Sequence, residues 1–292
     1  MGGLKEIRTR IASVKTTRQV TSAMKMVSAA KLKKAQDAIL QIRPYAGKLH
    51  EILQTLSASL ENVDDSVYTQ DREPEKVLIV LISSNRGLCG GFNTNISKMA
   101  IELARKKYAS QLREGKVSFF ALGKMGERQL KQAQLKLSGT NHDIFSELTF
   151  ENCSKIASGW MEAFVTGTYD RIELVYNEFK NAAVQLQVTE QFLPVSMGKE
   201  HDEKMGYPFI YEPSKEEIIR ELIPRSLKIQ FYKALLDSNA AEHGARMTAM
   251  HQATDNATEL LGDLTLQYNK ARQASITTAI LEISSGAEAL KG

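Results

Sequence analysis

From Leu4 to Leu60 the chain contains one glycine, Gly47, and one proline, Pro44, while apolar residues recur at helical spacing throughout. A stretch that long with so few breakers predicts a single extended helix. Its second half is the clearest: Ala35, Ile39, Ile42, Ala46, Leu49, Leu53, Leu56 and Leu60 alternate steps of four and three. That alternation is the seam of a coiled coil. The first half reads Leu4, Ile7, Ile11, Val14, then Thr17, Thr21 and Met24, so the spacing is expected to slip near Arg18. A slip of this kind changes the supercoil locally. Pro44 removes one backbone hydrogen bond, and because the seam runs on in phase beyond it, a bend is expected there rather than an end.

A second helical pattern closes the chain. Ser214 and Glu217 offer a capping box, serine at the N-cap and glutamate three residues on. From there the pattern runs to about Ser285, with Gly286 the expected stop and Pro224 marking off a short first segment. Its seam reads Met250, Ala253, Ala257, Leu260, Leu264, Gln267, Ala271 and Ala274, rich in alanine so that a partner backbone can come close. Two such helices bracketing one compact region bury their seams on each other by folding back antiparallel. At 1.5 Å per residue the first spans ~85 Å and the second ~105 Å, leaving ~20 Å of the second unpaired. That end carries Ile276, Ile280, Leu281 and Ile283. Apolar residues on a lone helix end are costly in water, so a sleeve from another protein is expected around it.

Between the helices the period changes. A polar linker over 61–75 leads to the β-branched run Lys76 to Ser84, the kind buried on both faces of a parallel sheet. Further elements are expected as a helix over 95–113, a strand at 117–122, a helix over 126–137 and a helix over 154–166. Strands at 171–179 and 183–193 follow, joined around Asn181 as an antiparallel hairpin. Strand–helix alternation of this kind implies a small α/β layer domain. The expected fold class is therefore α/β, a two-helix coiled coil made by both termini plus that domain. Its boundaries are 1–61, 62–213 and 214–292.

Composition agrees with long helices: 42% of residues are apolar but only 7% aromatic, and the chain's 292 residues allow one or two globular domains. Cys89 and Cys153 are the two cysteines, too few for a disulfide framework. No segment reaches the ~20 apolar residues that cross a bilayer. The start turns charged at once, against a secretory signal. Up to residue 50, eleven lysines and arginines face only Glu6 and Asp37. Such a stripe is a solvated helix face, a nucleic-acid footprint or a surface for an acidic protein.

The loop Ser83 to Asn93 joins the first strand to a helix, where a phosphate loop could lie. Its G-x-x-G-G spacing is neither the dinucleotide nor the P-loop pattern, and no lysine follows the glycines. A tight strand-to-helix turn is the better reading. Cys89 has no histidine near it in sequence, the five histidines do not cluster, and neither H-E-x-x-H nor C-x-x-C occurs. No catalytic, cofactor or metal site is expected. Arg272, Gln273 and Thr277 are polar groups near the unpaired end, suited to a partner's carboxylates.

Several segments match one family. Leu4 to Arg8, Ile11 to Val14, Met24 to Ala29, the loop Asn85 to Asn93, Ala245 to Met247, Ala253 to Asn256 and Tyr268 to Thr277 resemble the ATP synthase gamma subunit, end to end. The resemblance implies an antiparallel coiled coil turning inside three alpha and three beta subunits, which hold the nucleotide sites. It implies a Rossmann-like domain that sits, with epsilon, on the ring of c subunits, one copy per complex. It implies a peripheral place on the cytoplasmic side of the cell inner membrane and no nucleic acid. Carried over by position, Arg246, Arg272, Gln273 and Thr277 would engage the catch loop of beta, and Met24 with Lys25 would face its acidic hinge segment. Tyr207, Phe209 and Glu212 would form the foot on the c ring. Ala279 stands where some members carry glutamate, and Cys153 stands alone where the chloroplast type has a regulatory cysteine pair, so thiol control is not expected.

Overall fold

A computed structural model describes residues 3–58, 67–70, 72–195 and 215–289. Two helices dominate it: α1, Leu4–Ala58, and α6, Lys215–Ala289. Pro44 lies inside α1 and does not end it. Pro224 and Gly286 both lie inside α6, so neither the expected division nor the expected stop occurs. A proline costs its own helix one hydrogen bond, which a helix well buried on its other faces absorbs.

The chain divides into two compact units, residues 29–246 and residues 1–28 with 247–292. The larger holds a five-stranded sheet in the order β3-β2-β1-β4-β5. The strands are β1 (Val77–Ile82), β2 (Val117–Leu122), β3 (Leu137–Asn141), β4 (Arg171–Phe179) and β5 (Gln185–Leu193). The first four run parallel, and β5 returns antiparallel to β4 as expected. Asn181 shapes that hairpin, its Oδ1 accepting from the amides of Ala183 and Val184 at 2.9 and 2.8 Å. All six residues of β1 are buried, which is the covering on both faces that their apolar run called for.

One face packs under α2 (Phe92–Lys107) and α4 (Lys124–Gln132), with Ile79, Ile96, Ala100, Phe119 and Leu130 in one cluster. A break at Tyr108 separates α2 from α3 (Ala109–Arg113), where one helix was expected. The break sends the buried Tyr108 hydroxyl to the Glu173 carboxylate, which Lys107 also meets at 2.6 Å. The other face packs on α5 (Phe150–Val165) and on residues of α1 and α6. Trp160 of α5 is its hub, edge-on to Phe231 of α6 at 4.8 Å and to Phe120 at 5.3 Å. Leu53 of α1 shares this core with Ile223 and Leu227 of α6. Within this unit the expected seam positions Ala35, Ile39, Leu49 and Leu53 are buried, with Ile42 and Ala46 half-buried. The side chains of Leu56 and Leu60 lie outside the described residues.

In the smaller unit α1 and α6 meet along a seam that corrects the expectation in two ways. The sheltered positions of α1 include Leu4, Ile7, Ile11, Val14, Arg18, Thr21, Lys25 and Ser28, which alternate steps of three and four through Arg18, with Ser22 and the expected Met24 half-buried beside them. Arg18 takes the place given to Thr17, which is exposed, because a long basic side chain can lay its stem on an apolar surface and keep its head in water. On α6, Leu261 and Tyr268 are half-buried where Leu260 and Gln267 were expected, and the latter two are exposed.

Candidate partner-binding surfaces

Beyond Ala271 the smaller unit has one helix and no covering. Every described residue from Arg272 to Ala289 is exposed, Arg272, Gln273, Thr277 and Ala279 included. Ile276, Ile280 and Ile283 fall at helical spacing on one stripe, each at least half exposed, with Leu281 beside them. The threonine hydroxyls here are already used: Thr277 Oγ1 donates to Gln273 O and Thr278 Oγ1 to Ala274 O, both at 3.0 Å. The outward surface mixes this apolar stripe with polar groups: Arg272 and Gln273 at its root, and Ser275, Glu282, Ser284, Ser285 and Glu288 further out. In the same unit Met24 and Lys25 are half-buried on α1, and Met26 and Val27 beside them are exposed.

The larger unit holds the glycine-rich loop between β1 and α2. Asn93 closes it: its Oδ1 accepts from the Ser84 amide at 2.9 Å, and its Nδ2 donates to Ser84 Oγ at 2.8 Å and approaches Cys89 Sγ at 3.2 Å. Ser84 Oγ in turn donates to Arg86 O at 2.6 Å. Gly90 and, unusually for leucine, Leu88 take positive φ, near +60°, and Leu88 is left exposed at the loop's tip. The Ser84 and Asn93 side chains are thus spent within the turn. Asn93 went unread in the sequence; the signal was an amide side chain two residues past the last glycine, where a helix begins.

Arg246 holds the same loop from α6. Its Nη2 donates to Arg86 O at 2.9 Å, its Nε to Gly87 O at 3.3 Å, and its Nη1 pairs with Glu242 at 2.8 Å. Both members of that pair are buried, and burial pushes the Glu242 carboxyl up while Arg246 pulls it down. His243 stands 3.5 Å from the guanidinium, and burial, then the charges of Arg246 and Lys31, lower its imidazole to about 4. Burial likewise pushes the Cys89 thiol up, away from a nucleophile's range. Arg246 is therefore placed with the loop, while Arg272, Gln273 and Thr277 lie together on the bare helix end. Tyr207, Phe209 and Glu212 lie outside the described residues.

Among the described residues no group of three or more His, Cys, Asp or Glu could hold a metal ion, and no helix is long and apolar enough to cross a membrane. Long paired helices with an apolar stripe left bare at one end, in a chain that also holds an α/β unit, define a class of protein: a subunit of a larger assembly.

Comparison with known proteins names the family. The ATP synthase family model matches residues 3–290. The ATP synthase gamma chain of Flavobacterium johnsoniae is 58% identical over 292 residues, covering all of both chains. A chain of the Euglena gracilis mitochondrial ATP synthase, solved with its c ring, matches the fold with a TM-score of 0.68 at 21% identity, over 98% of this chain and 94% of that one. A chain in the central stalk and c ring of the Tetrahymena thermophila enzyme matches with a TM-score of 0.57 at 25% identity, over 80% and 99%. The chain belongs to the ATP synthase gamma chain family. Its role is that of the rotor shaft of an F-type ATP synthase, coupling rotation of the c ring to ATP synthesis.

Proposed function

We propose that the bare end of α6 is the part of the rotor that turns inside the ring of three alpha and three beta subunits, and that the chain carries no catalytic site of its own. Arg272, Gln273 and Thr277 engage the catch loop of beta, and Arg246 contributes by holding the glycine-rich loop that beta meets. Met24 and Lys25 face beta's acidic hinge segment. The α/β body stands with epsilon on the c ring through Tyr207, Phe209 and Glu212. One copy serves each complex, peripheral on the cytoplasmic face of the cell inner membrane, with no nucleic-acid partner.

One observation supports this most: the stripe of Ile276, Ile280 and Ile283 is exposed on a helix end that no other described residue covers. Apolar surface arranged so is a contact surface for another protein. The test replaces Ile280 and Ile283 together by aspartate in the assembled complex in membrane vesicles. ATP-driven proton pumping should fall several-fold, because two carboxylates would have to be buried in an apolar sleeve. Pumping at the unsubstituted rate would overturn the reading.

A further inference from the structure

Within residues 29–246 the β4–β5 hairpin is fastened to α6 at three levels. At the first, Gln230 Nε2 donates to Glu190 Oε1 at 2.9 Å and to Gln191 O at 3.3 Å, while the Tyr176 hydroxyl donates to Glu190 Oε2 at 2.9 Å. At the second, Arg43 Nη2 of α1 donates both to Asp237 Oδ1 of α6 at 2.8 Å and to Phe179 O at the end of β4 at 2.9 Å. At the third, Gly244 brings α6 so near the turn that an added Cβ would sit 3.2 Å from Ala182 Cα and 3.3 Å from its carbonyl oxygen.

The middle level is the odd one. Asp237 is fully buried in a stretch where Ala234, Leu235, Leu236, Ala240 and Ala241 are buried too, and its Oδ2 has no hydrogen-bond partner among the described residues. A buried carboxylate with one oxygen unmet is a poor way to gain stability, and apolar residues of similar size commonly serve as well or better. The pair supplies what apolar packing lacks: a directional link that ties one atom of each of three elements. We propose that Arg43 and Asp237 form a torque-bearing clasp, positioning residues that keep α1, α6 and the β4–β5 hairpin from sliding past one another when the rotor turns under load. The proposal rests on the rotor role and adds to it the place where load crosses from the α/β body into the helices.

The test uses the whole complex in membrane vesicles, with two charge-free pairs: Arg43→Met with Asp237→Leu, and Arg43→Gln with Asp237→Asn. Two quantities are read, ATP hydrolysis without a gradient and protons pumped per ATP against one. The clasp predicts hydrolysis near the unsubstituted rate with protons per ATP falling several-fold, more steeply as the opposing gradient rises. A merely structural role would lower the amount of complex and leave that ratio unmoved. An unchanged ratio in a pair that assembles overturns the proposal, and so does failure of both pairs to assemble, which assigns the residues to folding alone. Failure of the unsubstituted chain to support pumping in the same vesicles would instead overturn the rotor role itself.

Discussion

Thr254 Oγ1 of α6 lies 2.8 Å from Thr21 Oγ1 of α1, a hydroxyl-to-hydroxyl bond across the helix seam. Thr21 passes its own proton back to Arg18 O at 3.0 Å, so its oxygen can accept the Thr254 proton, which it shares with Met250 O at 2.7 Å. Thr21, Ser28 and Ala257 are buried beside them, and seams of such small groups let two backbones approach closely. The single substitution Thr254→Val should cost about 1 kcal/mol, because it leaves the Thr21 oxygen buried without its donor. Thr21→Val combined with Thr254→Val should cost less than the two singles summed. Urea unfolding of the four proteins checks this, and strict additivity would show that the bond contributes nothing.

Arg246 should be the most costly single residue to remove from α6. Arg246→Ala strands the buried Glu242, removes the donor to Gly87 O and leaves Arg86 O with its bond from Ser84. The expected loss is about 3–5 kcal/mol. Glu242→Ala added to it should recover part of that loss. Amide exchange should quicken across residues 84–91, and exchange at the native rate would count against the loop's dependence on this side chain.

His243 predicts a pH response. Its imidazole is lowered to about 4 in the folded chain, against about 6.5 unfolded. Between those values the unfolded chain binds a proton that the folded chain refuses, so stability falls as pH drops through that window and is flat above it. From pH 7 to pH 5 the loss should be about 2 kcal/mol. His243→Gln should flatten the slope in thermal melts, and an unaltered slope would place the titration elsewhere.

The helix end should matter to the assembly and not to the chain's own fold. Cutting after Ala271 removes only residues that are exposed or lie outside the described structure. The melting temperature of the isolated chain should move by no more than about 2 °C. A large drop would mean that the end has a partner within its own chain.

How far the sequence could be read differs by element, for physical reasons. β1 announces itself because a strand covered on both faces tends to be apolar throughout, whereas β4 is legible from its apolar Ile172, Leu174, Val175 and Tyr176 despite the Glu173 and Asn177 among them. β3, Leu137–Asn141, was not expected, and the helix expected to reach Leu137 ends at Gln132, because an edge strand with alternating shelter needs no apolar run. The break at Tyr108 is invisible locally, since it serves a tyrosine–glutamate contact 65 residues apart in sequence. In the seam, Arg18 and Lys25 are half-buried although neither is apolar, so apolar periodicity alone does not mark them. Arg272, Gln273 and Thr277 stood out as polar groups at a bare end, but the pairing of Arg43 with Asp237 did not. The warning was present all the same: an aspartate among leucines and alanines needs a cation, and helix spacing alone does not say from which neighbour it comes.

The threonines at the helix end carry a mechanical consequence. Thr277 and Thr278 return their hydroxyls to their own backbone, as Thr265 does further back at 2.6 Å. Their methyl groups are what a surrounding wall would feel. If the end turns inside such a wall, these two threonines would offer it no hydroxyl proton to give up at one angle and regain at the next, and the polar hold would fall to Arg272 and Gln273.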